Sequence, residues 1–297
     1  MKKMLSMILA SLLAVSMLSG CGSSAASSAS SEAPSSTAAS SEASSQVSSS
    51  EAAAASDSDK PLAGKELKVA LSANFKYFES VTVDAQGNEK YEGLDIDILD
   101  YMAEDLGFTY TISNMPFSSL IGSLQAGQAD FVISGMSYTE ERAESVDFSD
   151  AYATAKVGCL VRSDSGITDV AGLSGQAVAC SAGTNYEKII QSIVGAELKT
   201  FDGQAACTQE MLAGRVNATI TGATACKKVC EENEGLSYFI IDPSQLDVGS
   251  LSTYNIAFPK GSELVPIFNE EIAKMKENGK LDEIISTWLG EDYIKEG

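Results

Sequence analysis

The chain has 297 residues, enough for one large folded unit or two small ones, and carries 41 Asp and Glu against 20 Lys and Arg, a formal charge of -21. So acidic a surface argues against nucleic acid and anionic lipid as partners. The chain has no histidine, which removes the commonest metal ligand, the usual general base near neutral pH and every Ser-His-Asp or Cys-His constellation.

Residues 1–20, MKKMLSMILASLLAVSMLSG, open with two lysines and continue as an apolar run. The run falls short of the roughly 20 residues that a comfortable membrane span needs, and its small-residue end reads as a secretory leader. Leu18-Ser19-Gly20-Cys21 resembles the lipobox of bacterial lipoproteins, which implies cleavage before Cys21 and lipidation of that cysteine. A plain leader with an incidental cysteine is the alternative. Two acyl chains hold a protein on a membrane where one is marginal. Residues 21–60 then form a lipidated cysteine and a tether of Ser, Ala and Glu with no aromatic residue. Such a segment cannot bury enough apolar surface to offset its chain entropy, and as a coil it reaches roughly 30–40 Å. The expected location is extracytoplasmic, on the outer face of the cytoplasmic membrane, with the lipid as the sole membrane contact.

From residue 60 onward, strands and helices alternate. Leu67–Leu71 reads as a short buried strand. YEGLDIDILDYMAEDLG places Leu94, Ile98, Met102 and Leu106 four apart and stops at Gly107, an amphipathic helix with a glycine C-cap. Phe108–Ile112 alternates as a strand, Ser118–Gln125 is a second helix and Asp130–Ser134 a third strand. This pitch predicts a parallel sheet with right-handed crossovers. The pattern recurs with strands at 176–179, 198–201, 218–221 and 237–241, helices at 185–194 and 204–213 and over ATACKKVCEEN, then two closing helices at 264–278 and up to Trp288. These are two α/β units of similar size, whose ligands bind at strand carboxyl ends and helix N-termini.

No phosphate-loop motif is present. Besides Cys21 there are Cys159, Cys180, Cys207, Cys226 and Cys230. Cys226 and Cys230 share a helix face, but a zinc site needs two more ligands at matching spacing and the sequence offers none. Buried or free thiols are expected, with a single disulfide as the alternative, and neither metal nor cofactor.

GMSYTEERAESVDFSD, residues 135–150, holds one cation among five acids. Thr139 suits an N-cap, with Glu140 and Glu141 in the first turn. Arg142 then stands beside a strand end and free N–H groups, where a guanidinium can grip a carboxylate bidentately. On the residues alone, a surface pair with Glu141 or Glu144 is the reading favoured.

The folded part resembles the polar amino-acid family of ABC-transporter substrate-binding proteins. EGLDIDILDYMAEDLG is similar to that family's Gly-Phe-Asp-x-Asp helix, and PFSSLIGSLQAGQADFVISGMSYTEERAESVDFSDAYA to its longest motif. SAGTNYE is similar to its glycine-threonine loop, and YNIAFPKGSEL with KMKENGKLDEIISTWLG to its return and closing helices. The resemblance implies an α/β, two-lobed, periplasmic-binding-protein-like fold with two hinge strands and a cleft between lobes. Lobe 1 would comprise residues 61–156 and 253–297, lobe 2 residues 157–252, with hinges near Ala155–Gly158 and Ser252–Asn255.

The same resemblance implies a ligand site. Arg142 would clamp an α-carboxylate, aided by Ser137, by the Ser134-Gly135 backbone and, from the second lobe, by Thr184 and Asn185. Phe75 would stack on the ligand side chain and Phe117 would line the opposite wall, although both also suit ordinary core packing. Two positions depart from the family pattern. Gly222 stands where an aspartate usually holds the α-ammonium, and Ser72 where binders of cationic side chains tend to carry Asp. The implied function is capture of an amino acid, uncharged or weakly polar, by hinge closure of a monomer, and its delivery to ABC permease subunits. A binder of a non-amino carboxylate and a cyclohexadienyl-dehydratase-like enzyme are the alternatives.

Overall fold

The computed structural model describes residues 59–154, 156–246, 248 and 253–291. The expected leader, Cys21, the tether up to residue 58, and Ala155 and Ser252 of the expected hinges lie outside the described residues. Contacts with the first lobe start just before its expected boundary. Lys60 donates from Nζ to the Glu104 carbonyl at 2.8 Å, and Leu62 is fully buried.

The strands, in chain order, are β1 (Glu66–Leu71), β2 (Asn74–Phe75), β3 (Glu79–Val83), β4 (Glu89–Glu92), β5 (Thr109–Asn114), β6 (Phe131–Val132), β7 (Val146–Thr154), β8 (Val157–Arg162), β9 (Ala177–Ser181), β10 (Glu197–Phe201), β11 (Ala218–Gly222), β12 (Leu236–Ile240) and β13 (Thr253–Pro259). The helices are α1 (Leu94–Leu106), α2 (Leu120–Gln125), α3 (Glu140–Ala143), α4 (Tyr186–Ser192), α5 (Gly203–Leu212), α6 (Ala223–Glu232), α7 (Leu264–Glu277) and α8 (Lys280–Leu289). They build two five-stranded sheets, β5-β1-β6-β13-β7 and β10-β9-β11-β8-β12, and a small β2-β3-β4 meander.

The expected parallel pairing accounts for only part of each sheet, and both sheets are mixed. β1 runs parallel to β5 and β6, but β13 runs antiparallel to β6 and β7. In the second sheet β9 pairs parallel with β10 and β11, whereas β8 is antiparallel to β11 and β12. The reason is the path of the chain. It leaves the first sheet through β7, builds the second from β8 to β12, and returns through β13. The returning strand enters the first sheet from the other end and must run backwards.

Sequence periodicity positions α1 well. Leu94, Ile98 and Met102 are fully buried on the face toward the first sheet, each contributing about 1.5–3 kcal/mol. Gly107 ends the helix with φ 83° and donates its N–H to the Ala103 carbonyl. A Cβ there would meet the Lys60 side chain at 2.9 Å, so Gly107→Ala combines backbone strain with a clash. Behind the sheet, Phe108, Phe131, Phe258 and Phe268 form one aromatic cluster. Trp288 of α8 donates to Asp97 of α1 at 2.6 Å, tying the last helix to the first.

Candidate functional site

The two sheets meet along a cleft containing two adjoining cavities. In the first, Ser72, Phe75, Glu79, Phe117 and Ser134 face Thr184, Tyr186 and Thr221. Its void is about 40 Å³, room for two or three waters. The second, about 420 Å³, is lined by Glu141, Arg142, Gly183, Thr184, Asn185 and Lys188. Thr184 belongs to both, so Phe75, Phe117, Ser134 and Gly135 of the first compartment adjoin Arg142 and Asn185 of the second, whereas Ser137 and Gly222 line neither.

Arg142 sits in the four-residue helix α3. The Thr139 hydroxyl caps that helix by accepting from the Arg142 backbone N–H at 3.2 Å, as its sequence suggests. The guanidinium lies 5.4 Å over the Phe117 ring. Nη1 donates to the Ser137 carbonyl at 2.7 Å, and Nη2 reaches across the cleft to the Gly183 carbonyl at 3.2 Å. Burial pulls the Arg142 pKa down to about 10, with Tyr186 and Glu141 opposing the shift. Glu141, the suggested surface partner, is hydrogen-bonded instead to Lys188 across the cleft.

The remaining expected residues are present but differently occupied. The Ser134 hydroxyl donates to Glu79 Oε1 at 2.6 Å and accepts from the Ser72 N–H at 3.0 Å. The Gly135 N–H donates to Asp95 Oδ2 at 2.6 Å. The Gly135 N–H, a backbone donor expected to serve a ligand, is thus engaged within the protein. Gly135 has φ 50°, and a Cβ on it would fall 2.8 Å from the Phe75 ring, so the glycine is needed for that ring to pack. Phe75 stacks on Phe78 with centroids 4.4 Å apart and planes 2° from parallel, which leaves its other face toward the cavity. Ser137 is buried and serves through its carbonyl. The Thr184 hydroxyl donates to the Ser181 carbonyl at 2.6 Å. Asn185 precedes α4 without capping it, and Glu187 instead accepts from the Gly183 N–H at 2.6 Å.

At Gly222, the last residue of β11, a Cβ would stand 2.7 Å from the Tyr254 hydroxyl and 3.9 Å from that of Tyr186. Burial holds the Tyr186 hydroxyl well above the usual phenol range, and the neighbouring Tyr254 hydroxyl works against that shift. Sequence reasoning missed this pair, because nothing local marks two tyrosines 68 positions apart as neighbours of a glycine in a third element.

It also missed Glu79 and Asp95, two fully buried carboxyl groups of which Glu79 lines the first cavity. Asp95 accepts from Gly135 and, at 2.9 Å, from the Tyr152 hydroxyl. Burial pushes Asp95 up to about 7, against those hydrogen bonds. Burial and the neighbouring Asp95 charge hold Glu79 well above the usual carboxylate range. In a chain of 41 acids no pattern singled them out.

Cross-cleft contacts continue at the rim. Lys76 pairs with Glu232 at 2.7 Å, the Tyr77 hydroxyl donates to Glu232 at 2.5 Å and Asn74 donates to Asp202 at 3.3 Å. These are exposed groups, each worth about 0–1 kcal/mol. Cys159, Cys180, Cys207 and Cys226 are buried free thiols, and Cys230 is a half-buried one. Among the described residues no three Cys, Asp or Glu side chains cluster as metal ligands.

Two α/β sheets crossed twice by the chain, meeting on a cleft with an arginine that touches both, define a two-lobed ligand-binding protein. The chain belongs to the bacterial extracellular solute-binding proteins, family 3, whose model matches residues 67–291. It is 32% identical over 242 residues to the arginine-binding extracellular protein ArtP of Bacillus subtilis, covering 80% of this chain and 91% of that one. It is 28% identical over 305 residues to the glutamine-binding protein GlnH of an ABC transporter in the same organism, covering 98% and 99%. Among solved structures it is similar to the amino acid ABC transporter substrate-binding protein AbpA of Streptococcus pneumoniae bound to L-arginine. The TM-score is 0.69 and the identity 29%, covering 77% of this chain and 96% of that one.

Proposed function

We propose that this protein captures an amino acid with an uncharged or weakly polar side chain between its lobes and delivers it to the permease of an ABC importer. The observation that carries the reading is the position of Arg142, whose guanidinium bonds the Ser137 carbonyl of one lobe and the Gly183 carbonyl of the other. An α-carboxylate entering the cleft replaces those neutral acceptors with a charged, bidentate one. Thr184 and Asn185 approach the same groove from the second lobe. The relatives that bind arginine and glutamine support an amino-acid ligand. Ser72 and the hydroxyls of Ser134, Thr184 and Thr221 favour a polar, uncharged side chain in the first cavity, packed against Phe75.

The first cavity is too small for an amino acid, so capture requires the lobes to part and re-close. Lobe 1 is residues 61–156 with 253–297 and lobe 2 residues 157–252, so that the hinges are the two connections between β7 and β8 and between β12 and β13. Cys21 anchors the protein through lipid to the outer face of the membrane, and Cys21→Ser releases it into the medium; retention of that variant in the membrane fraction would remove the anchor from this reading.

A thermal-shift screen of amino acids with their decarboxylated and deaminated analogues tests the ligand class. A ligand at 100 times its Kd adds about 2.7 kcal/mol, a melting shift of roughly 5–10 °C. Loss of the carboxylate abolishes the shift and loss of the amine reduces it. A response to amines lacking a carboxylate would sink the proposal.

A further inference from the structure

We propose that Glu79, on the lobe 1 floor of the cleft, is the acceptor for the ligand's α-ammonium, and that it gives up its proton to solvent as the ligand binds. This rests on the reading above that the ligand is an amino acid.

Glu79 is the one carboxyl group among the residues lining the first cavity. It is fully buried at the start of β3, where Oε1 is fixed by the Ser134 hydroxyl at 2.6 Å. Its Oε2 receives no hydrogen bond from any N–H or hydroxyl donor. A buried carboxyl oxygen in that state is costly unless a proton or a cation meets it. The opposite wall, Ser181, Thr184, Tyr186 and Thr221, supplies no anion, and at Gly222, next to Thr221, the Tyr254 hydroxyl occupies the space that a side chain would need, with the Tyr186 hydroxyl behind it. Those phenols are neutral acceptors. An ammonium held in so small a cavity has oxygen acceptors on both sides and a single source of full negative charge, Glu79.

The groups facing Glu79 account for the proton. From α1 comes Asp95, from the turn after β6 the Ser134 hydroxyl, and Tyr152 of β7 lies close enough to feel its charge. No cation is among the groups that set its ionisation, and burial with the Asp95 charge keeps it protonated. When an ammonium arrives, the Glu79 O–H bond breaks, the proton leaves to buffer, the carboxylate remains, and the ligand keeps its own three N–H bonds. The charge in the cavity is balanced before and after.

The test is calorimetric titration of the wild-type protein with L-glutamine and L-arginine in two buffers of different ionisation enthalpy at pH 6, with the deaminated analogue of whichever binds. The expected result is release of up to one proton per bound amino acid and none for the analogue. Glu79→Gln keeps the shape and can still donate toward Asp95 and accept from Ser134. It should weaken the amino acid by about 30-fold, within the range for removing one partner of a buried charge pair, change the analogue by less than threefold, and abolish proton release. Amino-acid binding without proton release, or a Glu79→Gln variant of unchanged affinity, overturns the inference and leaves the amino-acid reading intact. Binding of neither amino acid, with binding of plain carboxylates, overturns both. Should Glu79→Gln not fold, proton release by the wild type decides alone.

Discussion

The Tyr254 hydroxyl lies 2.7 Å from the point where a Cβ on Gly222 would be. The glycine and the tyrosine therefore exclude each other's alternatives. Gly222→Ala should lower stability by about 1–3 kcal/mol through overpacking, and Gly222→Asp by more. Tyr254→Phe removes the offending oxygen, so adding it to Gly222→Ala should recover most of the loss. Denaturant melts of the three variants check this, and equal stabilities of the single and double mutants would count against it.

Arg142→Ala removes the guanidinium that spans the cleft and should weaken amino-acid binding by roughly 30-fold to several thousand-fold, equivalent to about 2–5 kcal/mol. Arg142→Lys should also bind poorly, because an ammonium cannot bond the Ser137 side and the Gly183 side with one planar fork. Calorimetry decides, and a loss under threefold for the alanine variant would return Arg142 to a structural role.

Gly183 has φ 78°, and a Cβ on it would fall 2.6 Å from Ser118 Cα across the cleft. Gly183→Ala pays about 1–2 kcal/mol for the left-handed backbone in any state, but the backbone clash arises only when the lobes touch. A modest fall in melting temperature with at least tenfold weaker binding is expected. Small-angle scattering should show no compaction on adding ligand. Compaction equal to that of the wild type would contradict the clash.

Acidity should stabilise the fold between pH 8 and pH 5. Asp95 is pushed up to about 7 and Glu79 is also raised, so the folded chain holds protons that the unfolded chain releases above about pH 4. These contributions are complete below that value; that of Asp95 is lost as pH rises through about 7, and that of Glu79 as pH rises through its own raised pKa. Glu271, pushed up to about 7 chiefly by burial, adds the same sign. Stability should therefore fall with rising pH, by up to about 1.4 kcal/mol per pH unit for each proton involved, and Glu79→Gln should flatten the slope. Melting curves across this range measure it; a slope of the opposite sign refutes it.

The second lobe should be independent of disulfides. Thiol titration in denaturant should give the same count with and without reductant, and in the native state Cys230 should react ahead of the four buried thiols. A lower count without reductant would reveal a bond that the geometry does not contain.

Much of the scaffold was legible because its signals are local. The i, i+4 apolar positions of α1 and the stop at Gly107, the capping Thr139, and the strand at Leu67–Leu71 all follow from near neighbours in sequence. The β2-β3-β4 meander was not, since ESVTV and EKYE are short and half exposed and carry no clean alternation. The antiparallel return of β13 depends on pairing with β7, about a hundred residues away, which periodicity cannot register. The site divides in the same way. Arg142 stood out as a cation among acids beside a cap. Glu79, Tyr186 and Tyr254 acquire meaning from one another's positions, and those positions exist only in the folded chain.

The placement of β13 in the interior of the first sheet, between β6 and β7, fixes the order in which the molecule can be completed during export. β8 to β12 are contiguous, so the second sheet can assemble as soon as residue 240 has emerged. The first sheet, although it begins the folded chain, has a gap at its middle until residues 253–259 arrive to fill it. Pairings of such long sequence separation form slowly. The half that carries Arg142 and Glu79 is therefore the last to mature, and for the interval before β13 docks the chain presents two unpaired strand edges, one on β6 and one on β7, that are open to mispairing.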